Sequence, residues 1–219
     1  MHLESHNGYV LLRDCAIDNL RERKKAQTTT ALVDSAYGLV AERGLGAVNA
    51  DAVAARAGVS RRTFFNYFPS VEAALAHGIG EFLEDLKGRL NDRPADESVM
   101  ESLELMLGGP ADPAFLQRIL QLGSVGAPDL QARAVLHGAV DAWLPWLIDH
   151  LRRRLPAGTD ALYAVHLALA VTAGTQAAIH VWAERTDRAL TPESCAEFQA
   201  LLARNVHTLR TGFDAAAVV

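Results

Sequence analysis

The chain is poor in the residues that build covalent or metal-held frameworks. Its 219 residues include two cysteines, Cys15 and Cys195, far apart and without metal-ligand spacing. Neither a disulfide framework nor a zinc site is written into it, and no metal is expected. No apolar run approaches the roughly 18–20 residues that span a bilayer. The N-terminus lacks a basic region leading into an uninterrupted apolar run, which argues against a secretory signal. A reduced, cytoplasmic protein without a membrane partner is the simplest expectation. Also missing are a glycine-rich phosphate loop, a nucleophile elbow and a metal-spaced His/Cys/Asp cluster, so the enzyme reading fares badly. No catalytic residue and no cofactor are expected. There is no alternating strand pattern, internal repeat or low-complexity tract.

What is present is apolar helix. Half of the residues are hydrophobic, ample for a buried core. The net charge of −5 looks wrong for a nucleic-acid partner until it is divided along the chain. Residues 21–70 hold eight Lys and Arg against four Asp and Glu, leaving 13 basic and 22 acidic residues elsewhere. A basic module on an acidic body is the pattern of a small DNA-binding unit joined to a regulatory one. Phosphate attraction acts over about a Debye length, so local charge outweighs the total.

Residues 1–20 read as a flexible N-terminal extension, disordered at first and then leading into a helix, with Tyr9, Val10, Leu11, Leu12 and Ile17 as its apolar positions. From about 23 to 43, Ala31, Leu32, Ala36, Leu39 and Val40 follow helical spacing until Gly44 and Gly46 stop it. Asn49 is suited to cap a helix over about 50–57, and a further short helix covers about 61–67. Ser70 caps a long helix to about Leu90, which Asp92-Arg93-Pro94 ends. Helices then cover about 97–108, 113–122, 127–155, 159–186 and 192–211, separated by Gly/Pro-containing breaks. The fold class is all-α, with about nine helices.

Residues 50–68, ADAVAARAGVSRRTFFNYF, carry the most information. Two short helices meet at a tight turn where Gly58 can take positive φ, Ala54 permits close approach and Ser60 caps the second helix. Val53, Ala57, Val59, Phe64 and Tyr67 keep one apolar seam inward. A plain helical hairpin has the same outline, but Arg61-Arg62 followed by aromatics and Asn66 is unlike a solvated face. GVSRRTFFNYFPS (58–70) resembles the recognition helix and following turn of the TetR family of transcriptional repressors. RERKKAQTTTALVDSAYGLVAERG (21–44) resembles that family's first helix. The resemblance implies a three-helix DNA-binding head over 21–69, a connecting fourth helix, and a helical effector-binding and dimerisation body over 70–219.

On this reading Arg61, Arg62, Thr63 and Asn66 project toward base edges, Arg suiting guanine, Asn adenine and the Thr methyl thymine. For each arginine a phosphate clamp without base reading stands beside that role. Tyr67 and Ser60 lie on the same surface, and the resemblance implies a phosphate contact at Tyr67. Phe64 and Phe68 belong to the head's core. Lys25, Thr28 and Thr29, with the helix N-terminus at Asn49 and Ala50, supply further phosphate contacts. Val71 departs from the family pattern, where a lysine often meets phosphate, and the Gln27–Thr30 run is less basic than usual.

In the body, helix 159–186 is apolar nearly all round, so more than one side is buried. The resemblance implies a four-helix interface across a two-fold axis, expected at Ala168, Val171, Thr175, Ala178, Trp182, Phe198, Leu202, Val206 and Leu209; the alternative is an ordinary core. Pro145 should kink its helix between Trp143 and Trp146. That kink, with Met100, Met106, Phe115 and Tyr163, is either an effector pocket or core filling. His137, His150, His166 and His180 read as core residues rather than ligands. The expected function is a homodimeric repressor, released from a palindromic operator by a small apolar or amphipathic effector. A helical interaction protein with weakened DNA binding is the alternative.

Overall fold

The computed structural model describes residues 6–110, 112–122, 130–186 and 189–212. Among them are nine α-helices and no strand. Helix α1 spans His6–Arg43 and is followed by one 3-10 turn, Leu45–Ala47; α2 is Ala50–Arg56 and α3 is Arg61–Tyr67. Helix α4, Val71–Asn91, connects this head to the body of α5 (Val99–Leu107), α6 (Pro113–Gln121), α7 (Leu130–Arg154), α8 (Ala161–Arg185) and α9 (Pro192–Thr211). Residues 1–5 of the expected disordered start lie outside the described residues; from His6 onward the segment before residue 21 is the first part of α1.

Local sequence sets these boundaries through capping side chains, each satisfying an otherwise unpaired backbone donor. Asn49 accepts from the Ala52 amide at 3.0 Å, Ser60 from Thr63 at 3.0 Å and Ser70 from Ala73 at 3.2 Å. Gly58 turns α2 into α3 at φ 70°, the left-handed conformation that glycine adopts without strain. Ser98 with Glu101, and Thr191 with Ser194, form capping boxes for α5 and α9. Pro145 does not end α7, which continues to Arg154.

One continuous core runs from head to body. Leu32, Val33, Ala36 and Tyr37 of α1 pack with Val53, Ala54, Phe64 and Phe68, and with Val71 and Leu75 at the start of α4. Helices α1 and α4 cross at Gly78. A Cβ there would fall 2.8 Å from Tyr37 Cε2 and 3.0 Å from Val33 Cγ1. Beside the crossing, buried Tyr37 donates its hydroxyl to the Leu75 carbonyl at 2.7 Å. Burial holds that phenol well above its ordinary pKa.

Helices α8 and α9 pack closely within the chain, and seven of the nine residues expected at a dimer surface are buried in its own core. Trp182 donates its indole N–H to Ser194 O at 2.7 Å and packs its ring 5.4 Å from Phe198. A Cβ on Gly174 would fall 2.0 Å from Asn205 Oδ1, so α9 lies directly on the α8 backbone. Ala168, Val171, Ala178, Trp182, Phe198, Leu202 and Val206 are buried in this intramolecular core, and Thr175 and Leu209 are half-buried. Burial within the chain accounts for the stripe's apolar character. By length and composition α8 is the one described helix that could cross a membrane; its buried residues pack inside the protein.

Candidate nucleic-acid interface and effector cavity

Helix α3 is too short to be stable alone and is held by its inward residues. Phe64 is fully buried and Phe68 is 6% exposed. With those two turned inward, Arg61, Arg62, Phe65 and Asn66 form the solvent face of α3. Thr63 is half-buried, and its hydroxyl shares a 2.8 Å hydrogen bond with Ser60. The turn's polar groups therefore set the helix start before they offer anything to a ligand.

The two arginines differ. Arg61 pairs with Asp51 of α2 at 2.6 Å and lies 5.3 Å from the centre of the Phe65 ring. Arg62 makes no ion pair among the described residues and is exposed. Lys25 is likewise exposed, Thr28 donates its hydroxyl to Lys24 O at 2.9 Å, and Thr29 is half-buried. Asn49 caps α2, and Ala50 is half-buried beside it. Tyr67 is half-buried against the core. Val71 is 6% exposed in the head core, which gives its departure from lysine a packing reason. Phe65 was missed from sequence, although Phe64 and Phe68 inward at i and i+4 leave it outward.

In the body, a cavity of about 100 Å³ lies between α4 and α7 on one side and α8 and α9 on the other. Met106, Phe115 and Trp143 line it, together with Phe82, Ile179 and the polar Arg89, Thr172 and Gln176. Phe82 and Phe115 stack across it, centroids 3.7 Å apart and planes 14° apart. Four residues expected at a dimer interface, Val171, Thr175, Phe198 and Leu202, are part of its lining. Met100, Trp146 and Tyr163 are not. Met100 is half-buried elsewhere, and Tyr163 is 52% exposed. Trp146 stacks on His150, centroids 5.0 Å apart, with Lys87 Nζ 5.6 Å from its ring centre.

An open groove of about 670 Å³ runs outside this cavity between α4 and α7, lined by Ala73, Ala76, Gly80, Ala139 and Ala142. Leu83 and Trp143 line both spaces and form the wall between them. His150 is buried with no partner for Nε2. Its burial, then Arg154 and Arg153, hold its pKa below the ordinary value. His166 and His180 are exposed, and His180 pairs with Glu184 at 3.3 Å.

The head and the cavity meet at α6. Arg118 donates to Gly78 O at 2.9 Å and to Glu81 at 3.2 Å, and its guanidinium lies 5.7 Å from the Tyr37 ring centre. It therefore touches α4 and α1 where they cross, one helical turn from cavity-lining Phe115.

The family model described as "Bacterial regulatory proteins, tetR family" matches residues 32–76, from the middle of α1 into α4. No curated protein matches the chain significantly. Among solved structures, the fatty acid degradation regulator FadR from Bacillus halodurans superposes with a TM-score of 0.57 at 15% identity, covering 85% of this chain and 96% of that one. FadR from Bacillus subtilis in complex with stearoyl-CoA gives 0.56 at 18%, covering 84% and 98%. FadR of Thermus thermophilus, a TetR-family repressor in complex with lauroyl-CoA, gives 0.50 at 20%, covering 84% and 94%. At these identities the likeness is one of fold. Residues 32–76 thus match the model of the TetR family of regulators, and the described helices follow the all-α fold of these solved regulators.

Proposed function

We propose that the chain is a homodimeric, ligand-responsive DNA-binding repressor whose effector is a long-chain acyl compound. The solvent face of α3, with Arg61, Arg62 and Asn66 outward over buried Phe64 and Phe68, carries the DNA-binding reading. A helix so presented enters a major groove. Val71 no longer favours weakened DNA binding, because the head core accounts for it. Two heads about 34 Å apart read a palindrome, which requires a second copy. Exposed Leu162, Tyr163 and Leu169, with Ala173 and Ala177, lie along the outer side of α8 and offer that copy an apolar stripe.

Two named neighbours bind acyl-CoA thioesters, and the cavity here suits an acyl chain in lining but not yet in size. Sites that enclose such ligands measure roughly 300–1,000 Å³. The inner cavity at about 100 Å³ is well below this, and the outer groove at about 670 Å³ is within it. Swinging Trp143 and Leu83 aside joins the two, so a chain lies in the groove and reaches inward, parting Phe82 from Phe115. Phe115 and Arg118 share α6, and Arg118 grips α4 at Gly78. Displacement of Phe115 therefore shifts α4 against α1 and with it the recognition helices. The effector moves this equilibrium only by binding one state better.

The test is fluorescence anisotropy with duplexes from the DNA flanking the protein's own gene, with and without stearoyl-CoA or lauroyl-CoA. Binding to a palindromic duplex and release by a thioester support the reading. It is falsified if thioesters bind the body and leave DNA affinity unchanged.

A further inference from the structure

We infer that Phe65 is a base-reading residue whose ring packs on the 5-methyl group of a thymine, a role that rests on the DNA-binding reading above. Phe65 is 45% exposed, whereas its neighbours Phe64 and Phe68 are 0% and 6% exposed. It is the one large apolar side chain on a helix face otherwise made of Arg61, Arg62 and Asn66. A phenyl ring has no donor or acceptor for a phosphate, so its DNA partner is apolar. In the major groove that partner is the thymine methyl group, which marks T against the other three bases.

The ring is already placed. Phe64 meets it edge-on at 5.3 Å with planes at 89°. Arg61 lies over it at 5.3 Å and is itself tied to Asp51 at 2.6 Å. Phe65 thus packs against Arg61 and Phe64 at the start of α3. Asn66, next along the face, suits adenine. Arg62, exposed and without an ion pair among the described residues, is left for phosphate.

The test needs a preferred duplex, selected from a random-sequence pool by the intact protein. Each thymine in it is then replaced by deoxyuridine, which removes only the methyl group. One replacement in a single half-site should weaken wild-type binding about fourfold, the value of one buried methyl-sized group, and the same replacement in both half-sites about fifteenfold. Phe65→Ala should bind the thymine duplex more weakly and show no further loss on that replacement, while Phe65→Leu keeps a smaller one. The inference is overturned if no replacement affects the wild type, or if Phe65→Ala loses as much as the wild type does. It is also overturned if Phe65→Ala weakens all sequences equally, the mark of a ring packed on the sugar backbone. The wild-type arm needs no variant to fold. A pool that yields no preferred sequence refutes the DNA-binding reading itself, before any thymine is tested.

Discussion

Replacing Gly78 with alanine tests the joint between head and body, because the sign of the effect is set by one contact. In an open helix interior, Gly→Ala stabilises by about 0.5–1 kcal/mol through lost backbone entropy in the unfolded chain. At Gly78 the new Cβ would lie 2.8 Å from Tyr37 Cε2, 3.0 Å from Val33 Cγ1 and 3.3 Å from the Tyr37 hydroxyl. Real Cβ contacts of 2.8 Å do not persist, so the Tyr37 ring must move. The ring is buried on all sides, and its hydroxyl is committed to Leu75 O at 2.7 Å. Overpacking of this kind costs about 1–3 kcal/mol. Freeing a buried hydroxyl from its acceptor adds about 1–3 kcal/mol where it occurs. The net expectation is destabilisation of about 1–4 kcal/mol, against the helix-propensity gain. Gly80 and Gly88 lie on the same helix with nothing within 4 Å of an added Cβ, and alanine there should stabilise. Urea denaturation followed by circular dichroism at one fixed protein concentration gives all three values. A Gly78→Ala protein as stable as its Gly80→Ala and Gly88→Ala counterparts would refute the tight crossing and the coupling built on it.

Three further outcomes are expected. Ser60→Ala removes the α3 cap and should cost about 1 kcal/mol in urea denaturation, with weaker DNA binding; unchanged stability would remove Ser60's capping role. Leu169→Glu should yield monomers in sedimentation at unchanged helicity, whereas Leu202→Ala should leave the oligomeric state alone and cost about 2–5 kcal/mol as a core cavity; the opposite pattern would restore the α8–α9 stripe as the interface. His150 is held neutral by burial and by Arg154 and Arg153, partly opposed by Asp149. The unfolded chain takes up a proton near the ordinary value of 6.5 and the folded one resists it, so stability should fall as pH drops below that value. His150→Phe, which keeps the stack on Trp146, should flatten the fall in melting temperature.

The helices were legible because their ends are written in single side chains: Asn49, Ser60 and Ser70 were assigned as caps from sequence and sit as caps. The head was legible for the same reason, its inward seam being a matter of spacing. The body was legible in outline only. Helix α8 is apolar nearly all round, so its sequence cannot say which side faces α9 and which faces a second copy. Only the Trp182–Ser194 bond and the Gly174–Asn205 contact show which side packs on α9, leaving Ala173 and Ala177 exposed on the other. Aromatic character likewise does not choose a cavity. Trp143 and Trp146 are three residues apart, yet one lines the cavity and the other stacks on His150 under Lys87. Phe65 was hidden by company, since two adjacent phenylalanines invite one assignment while helical phase gives them opposite ones.

The size of the cavity constrains the proposed acyl effector as much as its lining does. Parting Phe82 from Phe115 forfeits a stacked pair, about 0.5–1.5 kcal/mol beyond area burial. Burying a chain returns about 0.8 kcal/mol per methylene, so about two methylenes offset the stack itself. Regulatory coupling of 1–3 kcal/mol must come from what lies beyond that. On the proposed reading, short acyl groups should occupy the open groove without opening the wall at Leu83 and Trp143, bind both states alike and release nothing. Only a chain that reaches past Trp143 gains burial available solely in the opened state. Release should therefore appear with increasing chain length as a threshold, separable from binding itself, because the groove can hold a ligand that the inner cavity has not yet accepted.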